Sequence, residues 1–328
     1  KLIERIGYQR ALVVGLSIMA VGALMMIPAA RIPSYGVVLT ALFVIASGIT
    51  LLQVAANPYV AVVGPPETSS SRLNLVQAFN SFGTTLAPLF GGYLILGRST
   101  SGTSEAGTVL TQAERLADAQ SVQLPYLIVA IALIILAVVI SRFPLPAMGS
   151  ATNRTSKELR KQHSLWKHRN LVFGVPAIFI YLIAEIGVSN LFINFVSQPD
   201  IGNLTHEQAS TYLFVLWGGM MVGRFAGSYF MRTISAEKIL AIASIGAFIV
   251  MIIATFTSGH LAMWALISVG LFHSIMFPTI FTLACEKLGS RAADGSGIIN
   301  VAIVGGAVIP LLTGIIADLT SSLAFAFI

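Results

Sequence analysis

Amide and hydroxyl side chains punctuate two long apolar runs between Leu51 and Leu96, and their types suit a polar, uncharged ligand. Gln53 and Asn57 stand four apart, so an α-helix stacks them on one face, and Pro58 ends or kinks that helix just beyond. Asn74, Gln77, Asn80 and Thr84 recur at intervals of three or four and draw one polar stripe along a second helix. Hydrocarbon rejects such groups, so the stripe faces either a neighbouring helix or a water-filled cavity. An amide both donates and accepts, so paired amides can satisfy the hydroxyls of a ligand without introducing net charge. The other use open to Gln53, Asn57, Gln77 and Asn80 is hydrogen bonding between helices. Tyr59, Phe79, Phe82 and Trp217 are aromatics available to pack the apolar face of such a ligand.

One acid belongs with these groups. The other twelve fall in loops or at the ends of apolar runs, whereas Glu185 sits in the middle of one, IFIYLIAEIGVSNLFINF. A carboxylate at bilayer depth costs several kcal/mol and is by default a functional group. It can take up a proton or hold its charge against a bound cation, and either chemistry would couple an ion to solute movement. The structural alternative is a buried acid bonded to neighbouring helices. Asn190 follows Glu185 by five residues, about 140° around an ideal helix, so the two share a site only if that helix is broken. His273 reads as a ligand, a proton carrier or a packing partner, and Asn300, Asn190 and Asn194 as solute contacts or helix-packing groups.

The elements that position these residues are membrane helices. Hydrophobic residues make up 56% of the chain and charged ones 10%, with a mean hydropathy of +0.86, which excludes an ordinary soluble domain. A formal net charge of +6 would suggest nucleic acid in a soluble chain; here its placement matters more, and no nucleic-acid partner is expected. The single cysteine, Cys285, rules out an intrachain disulfide and a cysteine-based metal cluster. Phosphate-loop, zinc-protease and serine-hydrolase motifs are absent, and no acid, base and nucleophile set can be assembled in one layer, so no enzyme is expected.

Nine apolar runs, each near the ~20 residues that cross a bilayer as a helix, occupy about residues 11–28, 36–63, 73–96, 124–143, 171–196, 209–230, 239–257, 261–284 and 297–316. A tenth starts near Ser322. Threading them alternately places sixteen of the nineteen Lys and Arg residues on one side and only Arg31, Arg98 and Arg115 on the other. By the positive-inside rule the first side is cytoplasmic, with the start of the chain inside. Pro144 to Asn170, dense in Lys, Arg and His, is the longest polar connection and divides a first helical bundle, 1–144, from a second, 171–328, through a cytoplasmic linker, 145–170. That linker is either a solvated loop or partly an interfacial helix on anionic lipid.

Spacing repeats between the halves. Gln53 precedes Pro58 by five, as His273 precedes Pro278; Glu67 precedes Arg72 by five, as Glu286 precedes Arg291. Asn80 then follows Arg72 by eight, and Asn300 follows Arg291 by nine. The offset of 273 − 53 = 220 fits parallel repeats about an axis along the membrane normal. Gly219, Gly223 and Gly227 form a tandem G-x-x-x-G, which lets helix backbones approach closely. Trp166 and Trp264 fit interfacial anchoring.

Ala55-Ala56-Asn57-Pro58-Tyr59, then Gly64-Pro65 and Glu67, then Arg72-Leu73-Asn74-Leu75 and Gln77-Ala78-Phe79-Asn80-Ser81-Phe82-Gly83, resemble the fucose/glucose/galactose permease branch of the major facilitator superfamily. Phe277-Pro278-Thr279-Ile280-Phe281 and Gly305-Gly306 through Pro310 resemble it again. The resemblance implies an all-α polytopic membrane protein with two pseudo-symmetric six-helix bundles, of which this chain holds about helices three to eleven of twelve and the start of the last. A chain truncated in this way is not expected to transport on its own. The implied activity is cation-coupled symport of a neutral hexose, most like glucose or galactose, by alternating access, in a monomer of the bacterial inner membrane. Fucose or N-acetylglucosamine are alternative substrates, and a non-transporting sugar sensor is the alternative of another class.

The same resemblance assigns roles by position. Gln53, Asn57, Gln77, Asn80, His273 and Asn300 would contact the sugar, and Glu185 would register the coupling ion, a proton or sodium. No other cofactor is implied. Arg5 and Arg10 resemble part of the short cytoplasmic loop that follows the second helix, and Arg224 its second-half copy; all three would act in the conformational switch. Proton-coupled fucose permeases carry a glutamate where this chain has Gln53; Glu185 would supply the carboxylate instead, and a further acid is expected in the family's first helix, outside this sequence, so coupling to a proton or to sodium stays open.

Overall fold

The structure, a computed structural model, describes residues 3, 6–31, 34–94, 120–146, 164–288, 291–308, 315–316 and 319. Among these there are helices and turns but no strand. The helices are α1 (Tyr8–Ala29), α2 (Tyr35–Val62), α3 (Ser69–Leu94), α4 (Gln123–Arg142), α5 (Arg169–Val196), α6 (His206–Phe230), α7 (Ala236–Phe256), α8 (Gly259–His273), α9 (Met276–Cys285) and α10 (Ala292–Ala302). Among the described residues each of the nine apolar runs contains helix. The last residues of the ninth and the start of a tenth at Ser322 lie outside the described residues, as do Arg5 and most of the linker. Among the described residues six spans are long and apolar enough to cross a membrane, with α8 and α9 counting as one. α3 and α6, 26 and 25 residues long, are not among them, because polar residues interrupt their apolar faces.

The chain divides into two compact units, Lys1–Tyr59 with Leu86–Arg154 and Val60–Thr85 with Thr155–Ile328, the divisions falling inside α2 and α3. In the first unit α1 packs along α4, and Gln9 donates to the carbonyls of Ile140 at 2.8 Å and Phe143 at 2.9 Å, supplying partners that the end of α4 lacks. Glycines bring α1 against α2. A Cβ on Gly48 would lie 2.7 Å from the carbonyl oxygen of Gly15 and the nitrogen of Met19, and one on Gly22 would lie 2.7 Å from the nitrogen of Ile45. Without a hydrophobic force between helices in lipid, such backbone contact is the main source of association.

In the second unit two cores hold α5 in place. One joins Phe192 and Phe195 of α5 to Leu216 and Met220 of α6 and to Met263 and Leu266 of α8. The other joins Ile178, Tyr181 and Leu182 of α5 to Leu73 of α3, Phe281 of α9 and Ile299 of α10. The tandem glycines of α6 do what their spacing predicts. A Cβ on Gly223 would come within 2.7 Å of the Leu271 carbonyl oxygen, so α6 lies directly on the end of α8.

Two sequence expectations change. α2 runs through Pro58 to Val62, so of the two outcomes open at that proline, an end or a kink, the end does not occur. Its last turn is secured from α3: Arg72 donates to the carbonyls of Val60 at 3.3 Å and Ala61 at 2.9 Å, and Ser69 Oγ donates to Ala61 at 2.9 Å. The eighth run, continuous in sequence, turns at Ser274 and Ile275. Pro278 has no N–H for the carbonyl four residues earlier, which is that of Ser274.

Adding a methyl group at Gly48 should lower the unfolding free energy by about 1–3 kcal/mol, the usual cost of overpacking. Gly83, on an open face of α3 with nothing within 4 Å of its Cβ position, is the control. Thermal unfolding in detergent should show Gly48→Ala destabilised and Gly83→Ala unchanged or slightly stabilised.

Candidate functional site

α3 has two polar faces, and they do different things. Asn80, Gly83 and Thr84 are exposed together with Phe79 and Phe82, and Phe79 packs edge-on against Phe225 of α6 at 5.6 Å. The other face is buried and consists of Ser70, Ser71, Asn74, Ala78, Ser81 and Thr85. Small side chains at that spacing admit a neighbouring helix, and their hydroxyls bond to it. Ser70 Oγ lies 2.6 Å from Thr282 Oγ1, Ser71 Oγ donates to the Ser228 carbonyl at 2.6 Å, and Asn74 Nδ2 donates to Thr279 Oγ1 at 3.1 Å. Asn74, at 0% exposure, belongs to helix packing and not to a cavity wall.

At the upper end of this seam lies Arg224, held on α6 by the glycines that flank it. It is 7% exposed, and its guanidinium meets three other segments. Nε donates to the Ser274 carbonyl at 2.9 Å, the carbonyl that Pro278 leaves without a helical partner. Nη1 donates to the Gln77 carbonyl at 3.2 Å and to Ser81 Oγ on α3. Nη2 stands 4.0 Å from Glu185 Oε1 on α5, and Glu185 is 8% exposed. Tyr181, one turn before Glu185 and beside its carboxyl group, donates to the His273 carbonyl at 2.9 Å, and its ring meets the imidazole edge-on at 5.7 Å. Four segments, α3, α5, α6 and the turn before α9, are thus pinned around one cation.

Of the residues singled out in sequence, Glu185, Arg224 and His273 come together in this cluster, and Gln77 joins them through its backbone. The side chain of Gln77 is half-buried. Gln53 is exposed on α2 and Asn57, one turn on, is buried. Asn300 is half-buried and turns back on its own helix, donating to the Ser296 carbonyl at 2.8 Å. Arg10 is exposed on α1. α5 is unbroken, so Glu185 points inward while Asn190 and Asn194 are exposed. Tyr59 packs on Tyr8 at 5.8 Å, and Trp217 packs against the α5–α6–α8 core. Sequence reasoning missed Tyr181, Ser81 and Ser274. The spacing of Ser70, Ser71, Asn74, Ala78 and Ser81 was the available signal for a second face of α3.

A chain whose described residues form helices, with six spans of membrane length and a buried ion pair among them, is a polytopic membrane protein. The profile described as Major Facilitator Superfamily matches residues 1–311, and the chain belongs to that family. It is 46% identical over 318 residues to the glucose/galactose transporter of Brucella abortus, covering 97% of this chain and 74% of that one. It is 31% identical over 332 residues to the L-fucose-proton symporter of Escherichia coli, covering 99% of this chain and 76% of that one. Among solved structures, a crystal structure of the Escherichia coli fucose:proton symporter matches with a TM-score of 0.90 at 30% identity, over 99% of this chain and 81% of that one. A second, of the same symporter in the outward conformation, matches with a TM-score of 0.88. These relatives bear transporter and symporter names, and the chain is a transport protein, not an enzyme.

Truncating one partner of a buried ion pair leaves the other charge without compensation, at a cost of about 3–5 kcal/mol. Arg224→Met should therefore destabilise the protein by that order, and Glu185→Gln combined with Arg224→Met should recover most of the loss. A double-mutant cycle of unfolding in detergent measures both.

Proposed function

We propose that the protein imports a neutral hexose, glucose or galactose, in symport with a proton by alternating access. The observation that carries this reading is the 46% identity to a glucose/galactose transporter across 97% of this chain. The exposed amides of Gln53 and Asn80 and the half-buried amide of Gln77 have the chemistry that sugar hydroxyls require. Asn57, His273 and Asn300 complete the proposed sugar-binding set, and Phe79 or Phe82 offers an exposed ring to the pyranose. Glu185 is the proposed proton carrier, since no other acid lies mid-run and Gln53 supplies none. The proton, in preference to sodium, follows from the symporter relative.

In this reading 1–144 and 171–328 act as two bundles joined by the linker 145–170, the start of the chain and the linker face the cytoplasm of a bacterial inner membrane, and the monomer transports. Arg5, Arg10 and Arg224 serve the switch between states. Fucose is the second substrate reading, favoured by the match to the fucose:proton symporter structures.

Vesicles holding the full-length protein should accumulate labelled glucose or galactose under an inward proton gradient and not under an inward sodium gradient. Glu185→Gln should abolish accumulation while sparing exchange of labelled for unlabelled sugar. Gln53→Ala, Gln77→Ala and Asn80→Ala should each raise the apparent sugar KM about fivefold to tenfold, the worth of one or two hydroxyl hydrogen bonds. Sugar binding without movement under either gradient would replace the symporter with a sensor.

A further inference from the structure

A groove of about 310 Å³ runs between α1 and α4 of the first unit. Val21 and Leu24 of α1 and Ile134 and Val138 of α4 are its exposed walls, and the buried Ala20 and Ala137 make its floor. Its two hydroxyls direct their protons to their own helices: Ser17 Oγ donates to the Val13 carbonyl at 2.8 Å, and Ser141 Oγ to the Val138 carbonyl at 2.7 Å. Such a wall takes hydrocarbon and gives a sugar or a row of waters few partners. One end of the groove has the opposite character. Arg10, Ser17 and Leu24 follow one another at intervals of seven, about two turns of α1, so Arg10 stands on the same line of the helix as the groove wall. Arg142 follows Val138 by four on α4, and both arginines are exposed. Gln9, bonded to the carbonyls of Ile140 and Phe143, holds these two helix ends together and covers the negative pole of α4. α1 starts at the same end with Gly7 as its cap, no capping side chain and no acid in its first turn, so its positive pole is not offset. Among the described residues of this unit the charged side chains are Arg10, Arg31 and Arg142, and none is an acid.

We propose that this groove binds an anionic phospholipid, with one acyl chain between α1 and α4 and the phosphate held by Arg10 and Arg142. The chemical class follows from the two parts of the site. Hydrocarbon alone would leave the arginines without a counter-charge, and a soluble anion would leave the groove without an occupant. A second copy of the chain packed face to face here would set arginine against arginine. An anionic phospholipid supplies the chain and the charge in one molecule. Guanidinium and phosphate match in shape and make paired hydrogen bonds, and an arginine at a helix end lays its stem along apolar surface with its head at the membrane interface. A zwitterionic lipid brings its own cation to the same place and loses that advantage. The whole site lies in the first unit and depends neither on the hexose reading nor on Glu185. Arg10 has this lipid contact in addition to its proposed place in the switch.

The test uses the full-length protein in phosphatidylcholine vesicles, with Cys285 and any further cysteine replaced by alanine. A fluorophore is attached at Val14→Cys, on the rim of the groove where Val14 is 40% exposed. It is quenched by phosphatidylglycerol or phosphatidylcholine carrying a spin label on the acyl chain. Phosphatidylglycerol should reach half-maximal quenching at a mole fraction at least threefold lower than phosphatidylcholine, since each arginine near the head group favours the anion. The preference should disappear when Arg10→Gln and Arg142→Gln are combined. It should also disappear in Ser17→Phe, which fills the groove and leaves both arginines in place. A fluorophore at Phe248→Cys, exposed on α7, should show no preference. Equal quenching by the two lipids at Val14→Cys would overturn the proposal, and so would quenching by neither, which would mean that protein covers the groove. A preference that survives Ser17→Phe would reduce the site to surface charge, and one that survives loss of both arginines would remove the phosphate contact; either result overturns it. The arginines and Ser17 are exposed, so these variants should fold, and their circular dichroism checks it. Because no sugar is present, a failure of the hexose reading leaves the result standing.

Discussion

An arginine has no neutral form that a protein can use, so burying one obliges the fold to surround it with acceptors. In the second unit this requirement is met by Arg224 and by the features it draws to itself. Pro278 removes one backbone donor and leaves the Ser274 carbonyl without its helical partner, and that oxygen becomes an acceptor for Nε. Gly223 lets α6 lie close enough to α8 for the contact, because any side chain there would collide with the Leu271 carbonyl. Ser81 and the Gln77 carbonyl supply the acceptors from α3, and Glu185 supplies the negative charge. Each feature taken alone is a helix defect or a misplaced polar group. Together they are the coordination shell of one cation.

The same requirement explains why α3 is the least apolar of the long helices. A helix that must both line a polar space and hold a polar seam cannot spare a whole face for hydrocarbon. Its buried face solves the seam with small hydroxyl side chains, which approach closely and bond across it, while Asn74 satisfies its amide nitrogen with Thr279 and the Ser70 carbonyl at 2.9 Å. Its open face carries the longer amides and the aromatic rings. Two polar stripes on one helix sum to low hydropathy, which is why spanning length and spanning composition part company here.

How much of this could be read from the chain follows from what each signal measures. Apolar runs report burial in hydrocarbon or protein, and all nine found their helices. Helical spacing reports which residues share a face but not what covers that face. Thus Asn74, grouped with Gln77 and Asn80 by spacing, proved to pack against α9 while Asn80 stayed open. Glu185 stood out because a charge in an apolar run needs a reason. Its partner did not, since Arg224 lies near the end of its run and counts equally well as a loop cation in a charge tally. The pairing depends on a turn at Ser274 that the apolar pattern hides, because proline changes the hydrogen bonding of a helix without changing its hydropathy. Pro58 shows the reverse case: the residue that most suggested a helix end is overridden by Arg72 and Ser69, whose effect is long-range and absent from any local pattern.

An ion-coupled carrier needs an acid whose charge state changes the energy of something that moves. A lone buried carboxylic acid would satisfy the first half of that requirement and leave the second unmet, since a proton that alters no contact shifts no equilibrium. In this fold the acid is paired with an arginine that also holds a different helix, so the charge on one bears on the contacts of the other. The pair has a cost in desolvation that an apolar replacement would avoid, and the fold bears it at the place where α3, α5, α6 and the turn before α9 meet. Gln53 on α2 carries no charge, and the acid buried among the described residues is Glu185 on α5. It holds the arginine, and the arginine in turn holds α3.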